Sequence, residues 1–68
     1  MITEVVGKRI REIRGEQSLS QEKLALKADL DRTYIAGVEQ GKRNISIKSL
    51  EKIILALNIS FEDFFKGI

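Results

Sequence analysis

Arg32, Thr33, Tyr34 and Gln40 place a guanidinium, an aliphatic hydroxyl, a phenol and a carboxamide in one short segment. Each makes directional hydrogen bonds, and none is a strong acid, base or nucleophile at neutral pH. The chemistry on offer is recognition. Gln21, Arg43, Asn44, Ser46 and Ser49 form a second set, whose amides, hydroxyls and cation suit the oxygens of an anion. Catalysis lacks its usual material. The chain has no histidine and no cysteine, which removes the commonest general base, the most reactive nucleophile and the usual zinc ligands together. The expectation is a non-enzyme with no metal and no cofactor.

Groups of this kind need rigid elements to present them. The chain has no proline, so boundaries are read from caps, glycines and periodicity. The pattern predicts an all-α chain of five helices. The first runs from about Thr3 to Arg14 or Glu16, with Ile2, Val6, Ile10 and Ile13 as its inward stripe and Gly15 and Ser18 marking its end. Ser20 caps a second helix over about Gln21 to Ala28, which turns Leu24, Ala25 and Ala28 inward. Asp29-Leu30-Asp31 makes a tight turn: Asp29 tolerates the left-handed conformation, Leu30 plugs the angle between helices, and Asp31 caps the next helix. That third helix spans about Arg32 to Gln40, buries Ile35 and Val38, and stops at Gly41. Ser46 caps a fourth, whose Ile47, Leu50, Ile53, Ile54 and Leu57 form a broad apolar face ending near Asn58. Ser60 to Asp63 resembles a capping box and opens a short fifth helix carrying Phe61, Phe64 and Phe65.

Two short capped helices separated by about three residues have the arrangement of a DNA-reading helix-turn-helix. With Ile35 and Val38 facing in, the helical advance of about 100° per residue turns Thr33, Ala36, Gly37 and Gln40 outward, with Arg32 and Tyr34 on the flanks. Such a small, polar face fits the major groove. There Arg32 can pair with guanine, Thr33 can meet a thymine methyl or a base edge, and Tyr34 can stack on sugar or donate its hydroxyl. Gly37 inside an exposed helix costs about 1 kcal/mol relative to alanine, which close approach to another surface would explain. Gln21, Arg43, Asn44, Ser46 and Ser49 then fall where the phosphate backbone would pass, at helix starts and in the loop between. The competing reading makes these ordinary solvated, capping or loop residues.

Composition supports one small domain over residues 1–68. Hydrophobic residues make up 43% and charged residues 32%, a balance suited to a soluble globular domain. Net charge is only +2, but Lys8, Arg9, Arg11 and Arg14 crowd one end and Lys42, Arg43 and Lys48 a later loop, as a phosphate backbone would favour. No apolar run is long enough to span a bilayer, so the expected location is cytoplasmic, without a membrane partner. Arg14 and Glu39 both border the core and are expected to form a partly buried salt bridge.

The stretches Leu19 to Ala25, Asp31 to Glu39 and Gly41 to Ser46 resemble the phage repressor and Cro class of helix-turn-helix domains. With Asp31-Arg-Thr-Tyr34, Arg43-Asn44 and Lys48-Ser-Leu50, the chain is most similar to the controller proteins of restriction-modification systems. That resemblance implies a lambda-repressor-like fold and a homodimeric repressor-activator on paired, pseudo-palindromic operator half-sites in double-stranded DNA. It assigns base contacts to Arg32, Thr33 and Tyr34, backbone contacts to Gln21, Arg43, Asn44 and Ser49, and the internal salt bridge to Arg14 and Glu39. Asp29 and Ser18 stand where the class commonly has glycine, and its frequent proline near Ile45 is missing.

The C-terminal third carries more apolar side chains than one small core requires. Leu55, Ile59, Phe61, Phe64, Phe65 and Ile68 are accordingly expected in a two-fold dimer interface built from helices four and five, over residues 46–68. The alternative is that the fifth helix merely covers its own domain. Glu22, at the start of the second helix, is a candidate contact for RNA polymerase, although its place at the helix dipole is already a sufficient role. An antitoxin or phage-type repressor with the same reader, and a protein-interaction module unrelated to DNA, are the other functional classes left open.

Overall fold

Ser20, Asp31, Ser46 and Ser60 each hold extended backbone immediately before a helix, and each side chain accepts a hydrogen bond from an amide of the first turn. These four caps set the starts of α2 (Gln21–Ala28), α3 (Arg32–Glu39), α4 (Ile47–Ala56) and α5 (Phe61–Phe65). α1 (Ile2–Glu16) precedes them. The computed structural model describes residues 1–66 and 68. Among the described residues there is no strand, and no helix is long and apolar enough to cross a membrane.

Connections turn on left-handed residues. Ser18, Asp29 and Asn58 have φ of 57°, 56° and 59°, and Gly41 has φ of 74°. Of these four, only Gly41 takes this conformation without the steric cost of a Cβ. α1 continues through Gly15, so that glycine lies inside the last turn, and Ser18 makes the reversal beyond it. α3 closes one residue before the expected end, with Gln40 as its C-cap, and α4 closes at Ala56 before Leu57 and Asn58.

One aliphatic core joins all five helices. Val6, Ile10 and Ile13 of α1 meet Leu24, Ala25 and Ala28 of α2, Ile35 and Val38 of α3, Leu50, Ile53 and Ile54 of α4 with Leu57 beyond it, and Phe64 of α5. Leu30 packs on its edge from the turn between α2 and α3. α1 and α3 approach closely: a Cβ on Gly7 would collide with the backbone carbonyl of Val38. Hydrogen bonds from side chains to backbone carbonyls tie the ends. Arg9 donates to Phe64 O at 2.6 Å and Asp63 O at 2.8 Å, Gln17 to Leu57 O at 2.7 Å, and Arg14 to Leu19 O at 2.8 Å.

Three expectations need correction. Ile2 and Ile47 continue the apolar stripes of α1 and α4, yet they are 63% and 79% exposed, because the stripes run past the last element able to cover them. Phe64 is fully buried in its own domain and is not free for a dimer interface, whereas Ile59 packs against the same core only partly buried. Arg9 and Arg14 are engaged by carbonyls and by Glu39, which halves the basic cluster on α1 available to an outside anion.

Candidate nucleic-acid interface

α3 owes its orientation to opposite demands at its two faces. Ile35 and Val38 are each only 1% exposed and anchor the inner face. On the outer side Arg32, Thr33 and Gln40 are exposed and Tyr34 is half-buried. Asp31 fixes the helix start with a single oxygen, Oδ1, which accepts from the Thr33 backbone N–H at 2.8 Å and from the Thr33 hydroxyl at 2.6 Å. These two bonds, the side-chain one foremost, hold the Asp31 carboxyl below its ordinary range.

Two shallow depressions flank this outer edge. One, of about 350 Å³, is lined by Leu30, Asp31, Thr33, Tyr34, Arg43 and Ser49; the other, of about 610 Å³, by Arg14, Ser20, Gln21, Glu22 and Arg32. Arg32, Thr33 and Tyr34 are thereby gathered with Gln21, Arg43 and Ser49, although these residues come from α2, α3, α4 and a loop. The first turns of α2 and α4, whose leading amides lack helical carbonyl partners, border these depressions through Gln21 and Ser49.

Tyr34 joins the reading helix to the loop after it. The Arg43 guanidinium lies 4.9 Å from the centre of the Tyr34 ring, and the Ser46 amide donates to the phenol oxygen at 3.3 Å. Burial pushes the phenol up, but hydrogen bonding to the Ser49 side chain and to Ser46, with the Arg43 charge, outweighs it and leaves Tyr34 below its ordinary value. Gly37 belongs to the same arrangement, since a Cβ there would stand 3.5 Å from the Arg43 Cβ. The surface closest to Gly37 is therefore the chain's own Arg43.

Behind the edge, Glu39 is 3% exposed and is shared by three elements. It accepts from Arg14 Nε at 2.8 Å and Nη2 at 2.9 Å, and its Oε1 also accepts from Gln21 Nε2 at 3.0 Å. Glu39 raises the Arg14 pKa above its ordinary value through these hydrogen bonds, against an opposing effect of burial. Gln21, expected only as a backbone contact, is thus also part of the scaffold.

Two of the expected contact residues fall outside this assembly. Asn44 turns toward α1, where its side-chain oxygen accepts from the Thr3 hydroxyl at 2.6 Å, and it lines a separate depression with Met1, Glu4 and Lys42. Gln40 lies at the C-cap, away from both depressions. Ser46 contributes through its backbone, because its hydroxyl caps Ser49 at 3.1 Å. The Asp31-to-Thr33 hydroxyl bond is an addition to the expected contacts; an acceptor at a helix N-cap with threonine two residues later is the signal that carries it.

Known proteins resemble this chain in sequence and in fold. The helix-turn-helix family matches residues 10–64. Control protein C.MunI of Mycoplasma sp is 44% identical over 63 residues, covering 91% of this chain and 85% of that protein. Control protein C.BamHI of Bacillus amyloliquefaciens is 47% identical over 58 residues, covering 84% and 72%. Among solved structures, the restriction-modification controller protein C.Esp1396I superposes with a TM-score of 0.92 at 46% identity, over 96% of this chain and 86% of the other. C.Esp1396I has also been solved as a tetramer on its natural 35 base-pair operator. The chain belongs to the restriction-modification controller proteins of the helix-turn-helix family.

Proposed function

We propose that the protein is a homodimeric transcriptional regulator that reads paired half-sites in double-stranded DNA and controls a restriction-modification operon, as activator and repressor. One observation carries this reading: Arg32, Thr33 and Tyr34 on the outer edge of α3 share two depressions with Gln21, Arg43 and Ser49. Arg32 reads guanine, Thr33 a neighbouring base edge, and Tyr34 the sugar or base beside them. Arg43, Gln21, Ser49 and the free amides at the starts of α2 and α4 grip phosphates and set the register.

Pairing uses the apolar surface left over by the core. Leu55, Phe61, Phe65 and Ile68 are 69%, 44%, 38% and 50% exposed. Ile2, Ile45, Ile47 and Phe65 also line an apolar groove of about 310 Å³. A two-fold contact through α4 and α5 buries such surface and sets the two reading helices about 34 Å apart, one turn of duplex. Glu22, at the edge of the Arg32 depression, is the acidic residue we assign to a contact with RNA polymerase at an adjacent promoter.

Selection of bound duplexes from a random pool tests DNA binding, symmetry and spacing together. The expected result is a pair of inverted half-sites separated by about one helical turn. Recovery of unselected sequence at low salt, or a strictly monomeric protein in sedimentation at high micromolar concentration, contradicts the reading.

A further inference from the structure

A threonine hydroxyl is ordinarily an ambiguous reader. It carries one proton and two lone pairs, so it can donate to a keto oxygen or accept from an amino group, and it pairs with either class of base edge. In this chain the ambiguity is removed. The Thr33 hydroxyl stands 2.6 Å from Oδ1 of Asp31, whose carboxylate can only accept, so the proton of Thr33 is committed to Asp31. The same oxygen takes the Thr33 backbone N–H at 2.8 Å, which fixes the carboxylate against the residue it orients. Asp31 and Thr33 are both exposed and line one depression with Tyr34 and Arg43, so this locked hydroxyl faces the reading side and not the core.

We infer that Asp31 is a positioning residue for base selectivity: by consuming the Thr33 proton it makes Thr33 an acceptor only, which selects the amino edge of adenine or cytosine over the keto edge of guanine or thymine. The inference rests on the proposal that Thr33 meets a base. Every base pair offers one amino and one keto group in the major groove, on opposite strands. An acceptor-only threonine therefore reports which strand carries the amino base. Reversing the pair sets a lone pair against a lone pair. Without Asp31 the hydroxyl rotates, donates to the keto oxygen, and tolerates the reversed pair.

The test compares wild type, Asp31→Asn, Asp31→Gly and Thr33→Ala in competition binding on a selected duplex carrying each of the four bases at every half-site position, with helicity and melting followed in parallel. Asparagine keeps the side-chain carbonyl acceptor, and glycine is a tolerable N-cap without one. Wild type and Asp31→Asn are expected to prefer the amino orientation by about tenfold at one base pair per half-site. Asp31→Gly is expected to fall below about threefold at that position while selectivity at the Arg32-dependent positions is retained. A simple capping role moves stability or overall affinity and leaves the base profile intact, so an unchanged profile in Asp31→Gly overturns the inference. Relaxation in Asp31→Asn as well as Asp31→Gly overturns it too, because the acceptor is still present. If Thr33→Ala leaves every position unchanged, the assignment of Thr33 as a base contact fails and the inference falls with it. A changed profile in Thr33→Ala beside an unchanged one in Asp31→Gly overturns the inference alone.

Discussion

Arg14 and Glu39 meet in a two-pronged ion pair, with Nε and Nη2 of the arginine 2.8 and 2.9 Å from the two carboxylate oxygens. The carboxylate is 3% exposed, so its charge depends on this partner and on Gln21. Arg14→Ala strands it and is expected to cost about 3 kcal/mol, lowering the melting temperature by more than about 10 °C. Replacing both residues with leucine should recover most of that loss. Thermal melts of the three proteins provide the check; a single variant as stable as wild type contradicts the dependence of Glu39 on its partner.

Gly7 permits the crossing of α1 over α3. A Cβ there would strike the Val38 carbonyl, which is backbone and cannot turn aside. Gly7→Ala is therefore expected to be among the most damaging single changes in the chain, with a loss of several kcal/mol, on the order of 3 or more, or no cooperative fold. Circular dichroism melts decide it. Gly15→Ala, whose Cβ would meet open space, is expected to stabilise α1 by about 1 kcal/mol in the same assay.

Gly37 offers a separation of stability from binding. An added Cβ would make ordinary contact with the Arg43 side chain, 3.5 Å away, and alanine is the better helix former. Gly37→Ala should raise stability by roughly 0.5 to 1 kcal/mol. If α3 lies close against base pairs, the same methyl weakens operator binding. Melting and duplex titration are thus expected to move in opposite directions, and tighter binding together with higher stability argues against close approach at this face.

Acid should reveal the cap at Asp31. Its carboxyl is held below the ordinary range by Thr33, so the folded value lies below the unfolded one. The carboxylate therefore stabilises the fold at pH above about 4, and that contribution fades as pH falls through the folded value. Asp31→Asn keeps a capping oxygen but no titrating charge. Its stability difference from wild type is expected at neutral pH and should shrink as pH falls below the ordinary carboxylate range, about 4; a difference independent of pH refutes the assignment.

Local rules made much of the scaffold readable. The bounds of α2, the start of α3, the four caps and the left-handed Asp29 all arise from side chains acting on neighbouring backbone. The outer edge of α3 comes from helical periodicity once Ile35 and Val38 are turned inward. What the sequence concealed depends on distance through space. Ile2 and Ile47 have the right spacing for burial, but spacing does not say whether another element lies opposite. Phe64 and Phe65 are adjacent and chemically identical, yet α5 buries one and leaves the other 38% exposed. The commitment of Asn44 to Thr3, and the space kept at Gly37 for Arg43, likewise arise from packing between segments that local rules do not connect.

If α3 reads bases while the flanking loop grips phosphate, a salt-dependent duplex titration of wild type, Arg32→Ala and Arg43→Ala separates the two roles. Arg32→Ala is expected to lose about 1 to 3 kcal/mol on the selected operator and relax selectivity at one position, with non-specific affinity little changed. Arg43→Ala should weaken binding to all duplexes alike and reduce the salt slope by about 1. If wild type shows no duplex affinity at low salt, or if both substitutions weaken all sequences equally, the division of labour described for this surface is wrong.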